Sequence, residues 1–197
     1  MRRTPKDRVG FDFLGYFSEI DGTTVSDNQR ANGAWNHFVS DRFFLTPVYG
    51  EYYRDPFQNI GFRMTVGAGV GYQIVDTSDI EWNFDVGLGY QYTRFDDVPP
   101  DKPKSADTLA LVVGTRYDNE ITKWVDYYFD YHFFIVNRES GRYTHHLITG
   151  FEFEFFKDLD FDVSWVWDRI QIPRQNADGT TPERDDFRTI FGIGFSF

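Results

Sequence analysis

Odd and even positions separate over most of this chain. At the C-terminus Phe187, Thr189, Phe191, Ile193, Phe195 and Phe197 share one parity, against Asp186, Arg188, Ile190, Gly192, Gly194 and Ser196. Successive side chains of an extended strand point to opposite faces, so a period of two predicts a β-strand with one apolar face. The pattern recurs upstream. Leu159, Phe161, Val163, Trp165 and Trp167 oppose Asp160, Asp162, Ser164 and Asp168, and Leu147 to Phe155 oppose His146, Gly150, Glu152 and Glu154. Val125 to Ile135 oppose Asp126, Tyr128, Asp130 and His132, and Leu109 to Tyr117 oppose Thr108, Gly114 and Arg116. Ile80 to Tyr92, Phe62 to Tyr72 and Val9 to Phe17 repeat it. The segments 27–39 and 42–54 alternate less cleanly. Pro47 lies inside the second, and parity is lost between Leu45 and Val48, which predicts a β-bulge there.

The connections carry a second signal. Those at 40–41, 76–78, 118–122 and 157–158 are short, whereas 96–107 and 173–184 are long and rich in Pro, Gly, Asp and Asn. Short turns at one end and longer loops at the other characterise outer-membrane barrels. The expectation is an all-β fold: a closed antiparallel up-and-down transmembrane β-barrel of about ten strands over residues 8–197, after an N-terminal tail at 1–7. Both termini would then be periplasmic. Phe62, Tyr90, Tyr92, Tyr143, Trp167 and Phe187 would form an outer aromatic girdle, and Tyr72, Trp82, Tyr117, Phe155, Phe195 and Phe197 an inner one. A soluble barrel alternates in the same way but buries its apolar face, and parity does not say which face is inside.

Composition narrows the choice. Among 197 residues there are 22 Phe, 12 Tyr and 5 Trp beside 26% charged residues, a load that suits a chain coated with apolar groups on one side and wet on the other. No stretch reaches the roughly 18 apolar residues of a spanning helix. A net charge of −11 argues against nucleic acid as a partner. Cysteine is absent, which removes disulfides and thiolate metal sites. Met1-Arg2-Arg3-Thr4-Pro5 lacks the apolar run of a signal peptide, so an exported protein would be represented by a mature or truncated form.

Asp41-Arg42-Phe43-Phe44-Leu45, Tyr53-Arg54-Asp55-Pro56-Phe57-Gln58 and the run from Gly67 to Thr77 resemble the salt-induced outer-membrane protein family, a domain family of unknown function. Gly87 to Tyr90 and the ending Gly192 to Phe197 extend the likeness to nearly the whole chain. The resemblance implies a Gram-negative outer-membrane barrel and brings no catalytic residues. Members of that family usually carry a further N-terminal hairpin, which would make the count twelve if one is missing here. Gly192, Phe195 and Phe197 also resemble the C-terminal signal read by the barrel assembly machinery, with Ile190 departing at its polar position.

Candidate chemistry lies on the polar parity. Asp85, Asp126, Glu152, Glu154, Asp160 and Asp162 are expected as an acidic lumen cluster, with Asp126 near Glu154 and Glu152/Glu154 near Asp160/Asp162. Arg63, Arg116 and Arg188 are the expected lumen bases, Arg116 being the strong cation at the height of the acids. Inward glycines would leave room for Tyr128, His132 and Phe134. Asp130 with His132 on one face, and His146 on the next strand, form the weak catalytic candidates; Ser164 lies elsewhere. The loop acids Asp96, Asp97, Asp101, Glu183, Asp185 and Asp186 read as a solvated rim near lipopolysaccharide. The expected function is non-enzymatic: envelope-structural, or a narrow cation-favouring pore with an acidic lumen. The alternative is a barrel hydrolase acting on envelope lipid or peptide around Asp130 and His132. No cofactor or metal is expected, the chain is expected to be monomeric, and its expected partners are outer-membrane lipid, lipopolysaccharide and the assembly machinery.

Overall fold

The computed structural model describes residues 2–3, 6–156 and 159–195. Ten long strands follow a short one: β1 (Arg2–Arg3), β2 (Asp7–Ile20), β3 (Thr23–Phe38), β4 (Phe43–Asp55), β5 (Ile60–Asp76), β6 (Ile80–Phe95), β7 (Ser105–Thr122), β8 (Val125–Ile135), β9 (Tyr143–Phe156), β10 (Leu159–Ile170) and β11 (Asp185–Phe195). Each pairs antiparallel with its neighbour in sequence, in the order β1 to β11. The stretch expected as a tail contributes β1, which pairs Arg2 with Val9 and Arg3 with Arg8. The sheet curls far enough for Arg30 on β3 to reach Asp168 on β10. The described pairings stop at β11, so the observed form is a curled half-barrel of ten long up-and-down strands.

The turn expected at 118–122 lies later. β7 runs on to Thr122 because its ladder with β8 continues through the pairs Glu120 with Asp126 and Thr122 with Val125, with Ile121 keeping the outward apolar parity of Tyr117. At the opposite end Asp21 and Gly22 both have positive φ, +50° and +76°, the twist that a two-residue hairpin needs and glycine supplies. Pro56–Gln58 forms one 3-10 turn, capped by the Asp55 carboxylate, which accepts from the amides of Phe57 at 3.0 Å and Gln58 at 3.2 Å.

The bulge falls where parity was lost. Thr46 pairs with Gly69 but Tyr49 with Gly67, so Pro47 and Val48 of β4 sit against Ala68 alone of β5, one extra residue. Leu45 and Val48 both face outward. The slip turns Tyr49, Glu51 and Tyr53 inward and leaves Tyr52 outside, against Phe62.

Which face is apolar is now decided. Phe11, Leu88, Leu109, Phe187 and Phe191 point outward with 68–78% of their surface exposed, while Arg30, Glu51, Arg63, Gln91 and Asp168 are buried inside. A soluble barrel would show the reverse; an apolar belt around a polar interior is the membrane arrangement. The belt is edged by two chains of touching rings. Near the long loops Phe133, His145, Trp167 and Phe187 stack at 4.7, 5.4 and 6.2 Å. Near the termini Trp82, Tyr117, Tyr127 and Phe151 follow one another at 6.3, 6.0 and 5.2 Å. No helix among the described residues is long and apolar enough to cross a membrane.

Candidate functional site: the lumen

Three rows of inward residues cross β6, β7 and β8. Register places Asn83 beside Arg116 beside Asp130, then Asp85 beside Gly114 beside His132, then Gly87 beside Val112 beside Phe134. The rows therefore grade from charged, near the termini, to apolar at mid-height. Tyr49 lies across the glycines: a Cβ on Gly89 would stand 2.5 Å from its hydroxyl, and one on Gly87 3.0 Å from its ring. Asp85 lies over Gly114 in the same way, where a Cβ would come within 2.7 Å of both carboxylate oxygens. These missing side chains leave a chamber of about 150 Å³, lined by Phe44, Tyr49, Asn83, Asp85, Phe134 and the Arg8/Arg116 pair. A wider space of about 440 Å³ adjoins it, sharing Arg8, Asp12, Arg116, Asp130 and His132.

The half of the lumen toward the long loops is filled. Asp168 accepts from Arg30 at 2.8 Å and from Arg188, and pairs with His146 Nδ1 at 2.8 Å. Arg30 also donates to Glu51 at 2.6 Å and lies over the Tyr53 ring at 4.2 Å. Arg63 donates to Thr93 at 3.1 Å and to the carbonyl of Ser140 at 3.3 Å. Asn28 joins Asp55 at 2.9 Å, and Tyr53, Ile60 and Ile170 pack beside the network. The remaining space there is about 10 Å³. Above it Asn59 donates to the carbonyls of Asp97, Arg174 and Gln175, tying three loops together.

The expected acids assemble near the termini. Asp126 faces Glu152 across β8 and β9, not Glu154. The strand register sets this, since Val125 pairs with Phe153. Glu152 faces Asp162 and Glu154 faces Asp160 across β9 and β10, and Tyr128 donates to Asp162 at 2.7 Å. Asp85 stands apart, on β6. Of the expected bases, Arg116 grips Asp130 at 2.6 and 2.8 Å and approaches Asp12 at 3.5 Å. It is not alone at that height, because Arg8 pairs with Glu81. Arg63 and Arg188 lie in the filled half. Gly192 pairs with Asp162 and Ile190 with Ser164 on β10, whereas Phe197 falls outside the described residues.

The catalytic candidates are parted by their partners. His132 and His146 are directly paired across β8 and β9. His132 Nε2 lies 3.3 Å from Asp130 Oδ1, but His146 turns to Asp168, and Asp130 is gripped by Arg116. Ser164 is buried opposite Gly150, away from both. Among the described residues no three His, Asp or Glu side chains are grouped to hold a metal ion.

The chain matches, over residues 1–197, the family described as "Protein of unknown function, DUF481". It belongs to that family. The description of DUF481 assigns no activity and mentions no response to salt, so the salt-induced label has no support from it. No curated protein matches this DUF481 chain. Two solved outer-membrane barrels share its fold. The NanC porin is 9% identical with a TM-score of 0.57, and 98% of each chain is covered. A Pseudomonas aeruginosa FadL homologue is 11% identical with a TM-score of 0.54, covering 99% of this chain and 64% of that one.

Sequence reasoning missed Arg8, Arg30, Tyr49, Glu51 and Tyr53. The polar run Asn28, Arg30, Asn32 and Asn36 on even positions of β3 carried the signal for Arg30. Carrying the bulge through Val48 would have turned Glu51 and Tyr53 inward.

Proposed function

We propose that this DUF481 protein is an integral barrel of the bacterial outer membrane that admits small solutes from the periplasm into a narrow, cation-favouring lumen, without catalysis. The reading rests on one observation: an outward apolar belt surrounds an inward polar face whose free volume falls from about 440 to 150 to 10 Å³ toward the long loops. A wide end lined by Asp12, Asp118 and Asp130, with Asp126, Glu152, Glu154, Asp160 and Asp162 nearby, concentrates cations. The ion-paired half restricts passage. The termini lie at the wide end, so short turns place that end in the periplasm and the long loops among lipopolysaccharide. Unpaired strand edges are not tolerated in lipid. β2, beyond the two residues that β1 covers, and β11 run in opposite directions, so antiparallel closure of the barrel between them would satisfy both edges. The two solved barrels support the fold alone.

Planar-bilayer recordings of the purified protein in a potassium chloride gradient test this. The expected result is a small conductance with a cation-side reversal potential, which moves toward zero when Glu152→Gln and Asp162→Asn are combined. Anion selectivity, or silence in both proteins, refutes it.

A further inference from the structure

The chamber between the wide end and the ion-paired half has the makings of a binding site. Four carboxylates line it: Asp12, Glu51, Asp85 and Asp130. Three are engaged, Glu51 by Arg30 and both Asp130 and Asp12 by Arg116. The two guanidiniums of the lining are engaged as well, Arg116 as stated and Arg8 by Glu81. Asp85 alone of the four takes part in no hydrogen bond or ion pair among the described residues, and it rests on Gly114 with its oxygens toward the chamber. One strand position away, Asn83 is 7% exposed; its amide donates to Glu81 at 3.0 Å while its Oδ1 has no partner. On the other side the Tyr49 ring covers the glycines that follow Asp85 on β6, and its buried hydroxyl also lacks a partner. Tyr49 packs against the apolar cluster of Ala110, Val112, Phe134 and Val136, of which Phe134 also lines the chamber.

An unpaired carboxylate, a vacant amide oxygen and aromatic rings around one small space form a recognisable combination. A hard metal ion wants six or more converging oxygens, and among the described residues no three His, Asp or Glu side chains are grouped to supply them. A cation with an apolar surface uses each part: its charge meets Asp85, its N–H or polarised C–H groups meet Asn83 Oδ1, and its alkyl groups meet the rings. We propose that the chamber binds the alkylammonium group of a small organic solute, with Asp85 as counter-ion, Tyr49 and Phe134 as ring walls and Asn83 as acceptor. The proposal rests on the inward polar face described above but not on conduction. Arg8 and Arg116 border the same space, so a solute that also carries a carboxylate has a second anchor.

Titration calorimetry on the detergent-folded full chain tests it, with tetramethylammonium chloride and its carboxylate-bearing counterpart trimethylglycine as probes and sodium chloride as the blank. Tetramethylammonium is expected to bind at one saturable site with a dissociation constant on the order of 1–10 mM. Asp85→Asn should weaken it at least about tenfold and Tyr49→Leu about threefold, whereas Asp101→Asn in the exposed connection between β6 and β7 leaves it unchanged. Each variant is first checked for the heat-dependent gel shift of a folded barrel, and if Asp85→Asn fails to fold the Tyr49→Leu result decides. Trimethylglycine binding more tightly assigns the second anchor to the arginines. Trimethylglycine binding without tetramethylammonium, no saturable heat, or affinity indifferent to both variants overturns the proposal. A barrel silent in bilayers that still binds tetramethylammonium refutes the conduit and leaves the site standing.

Discussion

Asp168→Asn is the sharpest probe of the filled half of the lumen. The change keeps shape and hydrogen-bonding capacity but removes the charge on which Arg30, Arg188 and His146 converge. The side chains of Asp168, Arg30, Arg188 and Glu51 are 3%, 7%, 6% and 8% exposed, so water does little to screen them. Around Asp168 two guanidiniums meet two buried carboxylates; after the change Glu51 is the one buried carboxylate left against them, with the partly exposed Asp186 still 3.3 Å from Arg188. Leaving a buried charge uncompensated costs about 3–5 kcal/mol, whereas an exposed ion pair is worth about 0–1 kcal/mol. Urea unfolding from lipid vesicles, followed by emission of the 5 tryptophans, separates the two cases. The midpoint should fall at unchanged slope by the larger amount. Adding Arg188→Met restores the charge balance and should recover much of the loss, since a buried pair replaced by apolar groups is often neutral. A loss below about 1 kcal/mol, or no recovery in the double variant, would mean that the network is solvated and does not fill the lumen.

Two further predictions test the belt and the glycine floor. Leu88→Arg, on the outward face midway along β6 with its residue 68% exposed, should cost about 2–4 kcal/mol in vesicles by the same titration, where a soluble barrel would tolerate it. Gly71→Ala should cost about 1–3 kcal/mol, because the three atoms nearest the added Cβ all belong to the Phe44 ring, and Phe44→Leu should relieve much of that; a neutral Gly71→Ala would show that the ring is free to move.

Strand number, chain direction, aromatic girdles and the bulge were legible because each follows from local order. Alternation reads off the parity of single residues, and Pro47 marks where it slips. The inside was legible only where parity was clean. Asp126, Glu152, Asp160 and Asp162 were grouped from two hairpins, since neighbouring strands fix their partners. Arg30 with Asp168 was not, because these lie 138 residues apart and meet only when the sheet curls. The same holds for Arg8 with Glu81, 73 residues apart. Register can predict a row along the wall of a barrel; it carries no information about what reaches across.

The bulge at Pro47 joins the two features of the lumen. Beyond Val48 the inward positions of β4 are Tyr49, Glu51 and Tyr53, two residues apart. Tyr49 walls the chamber, Glu51 borders both chamber and network, and Tyr53 lies within the network under Arg30. Without the slip these three would face lipid, and Tyr52 and Arg54 would point inside. Arg30 would then lose Glu51, and Gly67, Gly87 and Gly89 would lose the Tyr49 ring that covers them. One extra backbone step therefore supplies both the wall that shapes the chamber and the carboxylate that seals its far side. Tyr49 and Glu51 are successive inward positions of β4, so the ring that walls the chamber of Asp85 and the carboxylate of the first ion pair of the barrier are set by the same strand.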